Sequence, residues 1–150
     1  MCGKLGSFFL LALAAFGGAL WAAPVGARAK VVITIDLTKS QFSIVKASRL
    51  GTQVLNGPII PVHPGSVHLG QFRMTKTYQK YWTRNGSVTL QNVIRFGHNG
   101  IIRSSSMFNE WRASKRPATG SIVVDADLGL ILYHTVKTFG PGQTIIHIIR

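Results

Sequence analysis

The chain has 150 residues, enough for one domain with a real core and little more. Seventeen Lys and Arg stand against four carboxylates, Asp36, Glu110, Asp125 and Asp127, and the net charge of +13 attracts polyanions. The single cysteine, Cys2, excludes an intrachain disulfide, and its loss with a leader would exclude any thiol nucleophile.

The first thirty residues set the compartment. Lys4 precedes an uncharged, small-residue-rich apolar run over residues 8–21, and Leu20-Trp21-Ala22 or Ala27-Arg28-Ala29 then offers a cleavage site. That order is the grammar of a secretory signal peptide. A retained membrane anchor is the competing reading, against which the run is short for a span of ~20 residues and is interrupted by Gly17-Gly18. Cys2 lies before the apolar run, whereas a lipid-attachment cysteine would follow it. The expectation is a signal peptide over 1–29 and one domain over 30–150, exported across the inner membrane to the periplasm or cell wall. Membrane contact is then transient and through the leader only. Without Lys4 and Arg28 the mature chain keeps a charge of about +11. No helix-turn-helix, zinc-finger or RNP pattern is present, and secretion also argues against a nucleic-acid partner.

From Lys30 the text becomes strand-like. VVITIDL alternates and is β-branched, Thr38-Lys39-Ser40 reads as a turn, and residues 41–45 alternate again, so the spacing predicts a β-hairpin. Residues 53–60 read as a further strand broken by Asn56-Gly57-Pro58. A Pro- and Gly-rich loop follows, with His63 and His68 five apart. That spacing suits neither helix nor strand ligation and no Cys, Asp or Glu lies near, so a solvated loop is expected and no metal site or cofactor. Residues 75–82 interleave Tyr78, Lys80, Tyr81 and Trp82. Such a surface stacks sugars or bases, or is one packed strand face with snorkelling lysines. Asn85-Gly86 signals a hairpin turn, residues 88–96 a strand, and Gly97-His98-Asn99-Gly100 another turn.

Residues 100–124, GIIRSSSMFNEWRASKRPATGSIVV, have the layout of a catalytic corner. An apolar strand end leads to a polar loop rich in Ser and Arg, and a tight Ala118-Thr119-Gly120-Ser121 turn feeds a second apolar run. Residues 124–137 then predict a helix, with Asp125 as N-cap, Asp127 at the positive dipole end, and a stripe of Leu128, Ile131, Leu132 and Val136. Gly140-Pro141-Gly142 stops it, and residues 144–149 predict a buried final strand.

This corner resembles the active-site region of the L,D-transpeptidases, the ErfK/YbiS/YkuD-type enzymes that cross-link bacterial peptidoglycan. In that family a His-Gly pair closes one strand, and a Ser-His-Gly-Cys-Ile-Arg run follows after a loop of about this length. Here Arg103 stands in the place of the His, Ser121 in that of the nucleophilic Cys, and Val123 in that of the Arg. Two further segments carry the likeness: Ile35-Asp36-Leu37-Thr38-Lys39-Ser40-Gln41 resembles the usual opening of the domain. Leu69-Gly70-Gln71-Phe72 keeps the Gly and aromatic of its Thr-Pro-x-Gly-x-Phe turn, with the Pro displaced. The resemblance covers nearly all of residues 30–150.

It implies a mainly β, compact, β-sandwich-like L,D-transpeptidase fold with one or two short helices. It also implies an envelope protein related to acyl transfer on peptidoglycan stem peptides, degenerate at its nucleophile and inactive as a thiol enzyme. Gly120 is the expected oxyanion turn, and Arg112 and Arg116, with Arg103 and Lys115, form a cationic surround for a substrate carboxylate or a merely solvated loop. Two other functions stay open: a noncatalytic basic module binding anionic cell-wall or outer-membrane polymers, and a serine acyl hydrolase or transferase. The latter needs a base for Ser121, for which His98 and His134 are the candidates.

Overall fold

A computed structural model of the chain describes residues 30–48 and 50–150, and the signal peptide expected over 1–29 lies outside the described residues. Eight strands, β1 (Val31–Asp36), β2 (Gln41–Ser48), β3 (Gly51–Pro58), β4 (Gly70–Trp82), β5 (Thr89–Phe96), β6 (Gly100–Ser105), β7 (Ile122–Asp125) and β8 (Thr144–Ile149), form one mixed sheet. Two helices, α1 (Phe108–Ala113) and α2 (Ala126–Phe139), complete the fold. The architecture is the mainly β one expected from the sequence.

The strand order is β3-β2-β1-β8-β4-β5-β6-β7. The β1–β8 and β6–β7 pairs are parallel and the others antiparallel. Strand β4 serves both halves: residues 70–73 pair with β8, and from Met74 onward the strand pairs with β5 after a bulge between Met74 and Lys76. A bulge bends a strand and tightens its twist. The sheet accordingly curls until its two outermost strands meet, through the bridges Ile59↔Val124 and Val62↔Ala118 and the hydrogen bond from Ile60 N to Val123 O at 3.0 Å. The curled faces enclose a core that includes Ile33, Ile35, Phe42, Ile94, Ile102, Leu132, Val136, Ile146 and Ile148. A smaller cluster of Ile60, Phe108, Ala118 and Val123 lies beside it, with Trp111 packed on its flank.

Alternation explains the strands. In β1 residues 31, 33 and 35 are fully buried while 32, 34 and 36 are half-buried, as a period of two on a pleated surface requires. Strand β3 departs from expectation, because Asn56-Gly57-Pro58 does not break it: Phe42 pairs with Gly57 and Gln41 with Pro58. Gly57 is needed there for packing, since a Cβ would lie 2.6 Å from the Phe42 ring and 2.7 Å from Leu128. Pro58 is the strand's last residue, on the sheet's edge strand, where a missing N–H is tolerated.

Helix α2 begins as predicted, with the Asp125 carboxylate accepting from Asp127 N at 3.0 Å, and ends at Gly140 with φ 76°. Its buried face, however, is Gly129, Leu132, Tyr133 and Val136, so Ile131 is exposed and Tyr133 takes its place. The cause is close approach to β6, where a Cβ on residue 129 would stand 2.4 Å from Ser104 Cβ. Only glycine lets the helix sit so low, and the face that touches the sheet is centred on it. Helix α1 lies inside the segment read from sequence as a polar loop.

Candidate active site

Strands β6 and β7 run parallel side by side, with Ile102 opposite Ile122 and Arg103 opposite Val123. Ser121 immediately precedes β7, so the pairing brings together two residues that are 18 apart in sequence. Arg103 Nε donates to Ser121 Oγ at 3.3 Å, a long, part-buried hydrogen bond. The Arg103 guanidinium also lies over the Trp111 ring, 5.2 Å from its centroid. Burial pushes the Arg103 guanidinium below the usual arginine range, yet arginine starts so far above neutrality that it stays a cation. The serine oxygen therefore faces a fixed donor.

The surroundings hold this pair in place. Ala118 N donates to Pro61 O and His63 N to Ala118 O, each at 2.8 Å, which clamps the start of the turn to the segment joining β3 and β4. Gly120 has φ 71°, a left-handed conformation that costs any residue with a Cβ, although the space beside it is open. Beneath Arg103, Ser104 is fixed by a buried network: Asn92 Nδ2 donates to Ser104 Oγ, which donates to Gln91 O, both at 3.1 Å. Asn92 adopts φ 49° at the bulge of β5 against β6, and so turns its amide inward. Trp111 is anchored by its own Nε1, which donates to Arg116 O at 2.9 Å.

A cavity of about 320 Å³ opens beside the turn, lined by Gly120, by Ser66 and His68 of the 61–69 loop, by Phe72 and Phe96, and by His98. Its floor needs glycine: a Cβ on Gly97 would lie 2.9 Å from Phe72, and one on Gly100 2.2 Å from Phe96. Of the sequence-predicted site residues, Arg103, Gly120 and Ser121 are thus gathered at one corner, and His98 shares the adjoining cavity with Gly120. Arg112 and Arg116 are exposed, on α1 and just after it, and make no hydrogen bond to Arg103 or Ser121. The side chain of Arg116 lines a separate open groove with Glu110 and Trp111. His134 sits on the exposed side of α2, its ring edge-on to Tyr133. His63 and His68 do not join a group of three metal-ligating side chains among the described residues. Sequence reasoning missed Trp111. Its one signal was an aromatic eight residues after Arg103, within reach only once α1 turns the loop back over β6.

No protein-family model matches the chain, and no curated protein does so either. Solved structures do. An L,D-transpeptidase from Stackebrandtia nassauensis superposes with a TM-score of 0.65 at 12% identity, over 83% of this chain and 57% of its own. The L,D-transpeptidase from Mycobacterium smegmatis gives 0.63 at 15%, over 81% and 59%. A fused Zn-dependent amidase/peptidase/peptidoglycan-binding domain-containing protein from Clostridium acetobutylicum gives 0.58 at 13%, over 80% and 52%. The chain spans little more than half the length of each of these structures. It has the fold of the L,D-transpeptidases.

Proposed function

We propose that the chain is an L,D-transpeptidase-family protein of the bacterial cell envelope that keeps the stem-peptide cradle and has lost the thiol chemistry. The observation that carries this reading is the hydrogen bond from Arg103 to Ser121, two residues that by the resemblance stand in for the family's His and Cys. The shared fold and the position of the pair, one residue on β6 and the other immediately before its parallel neighbour β7, support the family. The leader over 1–29 supports export to the periplasm or wall.

In the thiol enzymes a thiolate attacks a stem-peptide carbonyl, forms a thioester as the C–N bond breaks and the protonated amine leaves, and passes the acyl group to a second amine with release of the thiol. Such a cycle needs a base for the nucleophile and a base for the incoming amine. Arg103 supplies neither, because a permanent cation accepts no proton. What the pair offers is recognition. A guanidinium held over an indole presents its remaining N–H groups in a planar fork, the geometry that holds a carboxylate. Gly120 and the Ser121 amide supply a backbone turn for a carbonyl oxygen, and the exposed Arg112 and Arg116 draw anionic ligands to this side.

The test is to incubate the purified protein with stem tetrapeptides and look for acyl-enzyme mass adducts. We expect none on the wild type and a thioester on the Ser121→Cys, Arg103→His double variant. An adduct on Ser121 of the wild type would overturn the loss of catalysis. A folded but inert double variant would count against the retained cradle.

A further inference from the structure

The site leaves the far end of the β4–β5 hairpin unexplained. Only residues 70–73 of β4 pair with β8, and β5 meets β6 only from Gln91 onward, so the rungs Tyr81↔Leu90 and Trp82↔Thr89 and their turn stand clear of the sheet as a two-stranded arm. Its tip is internally tied. Thr83 Oγ1 donates to Asn85 Oδ1 at 2.9 Å, Ser87 Oγ to the same oxygen at 2.8 Å, and Gly86 N to Thr83 O at 2.7 Å. On this tip Trp82 is 65% exposed and Val88 51% exposed. Lys80 and Arg84, also exposed, flank them, and strand alternation puts Lys80 on the same face as Trp82.

The charge along the hairpin, residues 70–96, is of one sign. Residues 37–109 contain no Asp or Glu, and among the described residues the one ion pair is Lys39 with Asp36, at the other side of the fold. Lys76, Lys80 and Arg84 therefore have no carboxylate partner. A purely charged polymer would satisfy the cations but gain nothing from covering an indole and an isopropyl group. The boundary layer of an anionic bilayer satisfies both, since Trp settles at headgroup depth while Lys and Arg keep their heads among the phosphates.

We propose that this arm docks on an anionic phospholipid surface, with Trp82 and Val88 in the headgroup layer and Lys80 and Arg84 on lipid phosphates. The contact is independent of the leader and of the Arg103–Ser121 corner, and it holds whether or not the stem-peptide reading does. It holds the domain at a membrane after any leader is removed.

The experiment uses the full chain with vesicles of phosphatidylcholine alone or mixed with phosphatidylglycerol, some carrying brominated acyl chains. The difference in emission between wild type and Trp82→Phe isolates residue 82 from the other two tryptophans and from anything the leader does. With anionic vesicles that component is expected to shift to the blue and to be quenched by bromine. The Lys80→Gln, Arg84→Gln variant should require about 30-fold more lipid for the same shift, and salt near ~1 M should abolish it. No shift with anionic vesicles overturns the proposal, as does an equal shift with neutral ones. A shift on soluble polyphosphate without bromine quenching on vesicles also overturns it, in favour of a polymer partner.

Discussion

At the level of single residues, the corner turns on the difference between a proton acceptor and a proton donor. A histidine beside residue 121 would take its proton, whereas Arg103 keeps its own and donates a hydrogen bond to the serine oxygen, which is held as an acceptor. The guanidinium also needs its shape. It lies over Trp111 while bonding Ser121 through Nε, and a lysine ammonium, a single point charge with no planar fork, does not make both contacts and still offer a fork. Arg103→Lys is therefore expected to weaken stem-tetrapeptide binding about tenfold although the charge is kept. Isothermal titration checks this, and unchanged affinity would reduce the role of residue 103 to charge alone.

Among the elements, β6 decides where the site sits, and Gly129 decides how closely α2 covers it. The absence of a Cβ at 129 lets the helix rest on Ser104, the neighbour of Arg103. Gly129→Ala gains helix propensity of about 1 kcal/mol, yet it drives a methyl to within 2.4 Å of Ser104 Cβ. Overpacking of that kind costs about 1–3 kcal/mol, so net destabilisation is expected in urea melts, with disturbance of the Asn92–Ser104 bond visible in the amide spectrum. A gain in stability would show that α2 lifts freely. The same glycine marks the limit of reading by pattern. The helix was legible from Asp125, the apolar spacing and Gly140, but which stripe faces inward depends on how near the neighbouring strand comes. Residues 56–58 make the complementary point. Asn-Gly-Pro is turn chemistry locally, but the pairing of β3 with β2 overrides it. The closeness of residues 103 and 121 was legible through the family resemblance alone, and the pairing of β6 with β7 gives it a physical cause. Trp111 and the Asn92 bulge were not, since each acts through a neighbour distant in sequence.

The whole molecule is governed by charge imbalance. With +13 over 150 residues and one ion pair among the described residues, repulsion between cations opposes the compact state. Added salt is then expected to stabilise the protein, raising the melting temperature by a few degrees between ~0.01 and ~0.3 M sodium chloride. Differential scanning calorimetry reads this directly, and a fall in melting temperature would mean that attractive pairs outweigh the repulsion.

The pairing of β1 with β8 has a temporal consequence. The first and last strands are neighbours in the middle of the sheet, and β1 buries residues 31, 33 and 35 in the core they share with β8. A nascent polypeptide leaving the ribosome has no partner for that edge until residues 144–149 emerge, so β1, β2 and β3 wait as a three-stranded meander open along β1. The two halves of the sheet are joined only when β8 pairs with β1 on one side and β4 on the other, and until then the chain remains a thread that a protease or a translocation pore can still grip.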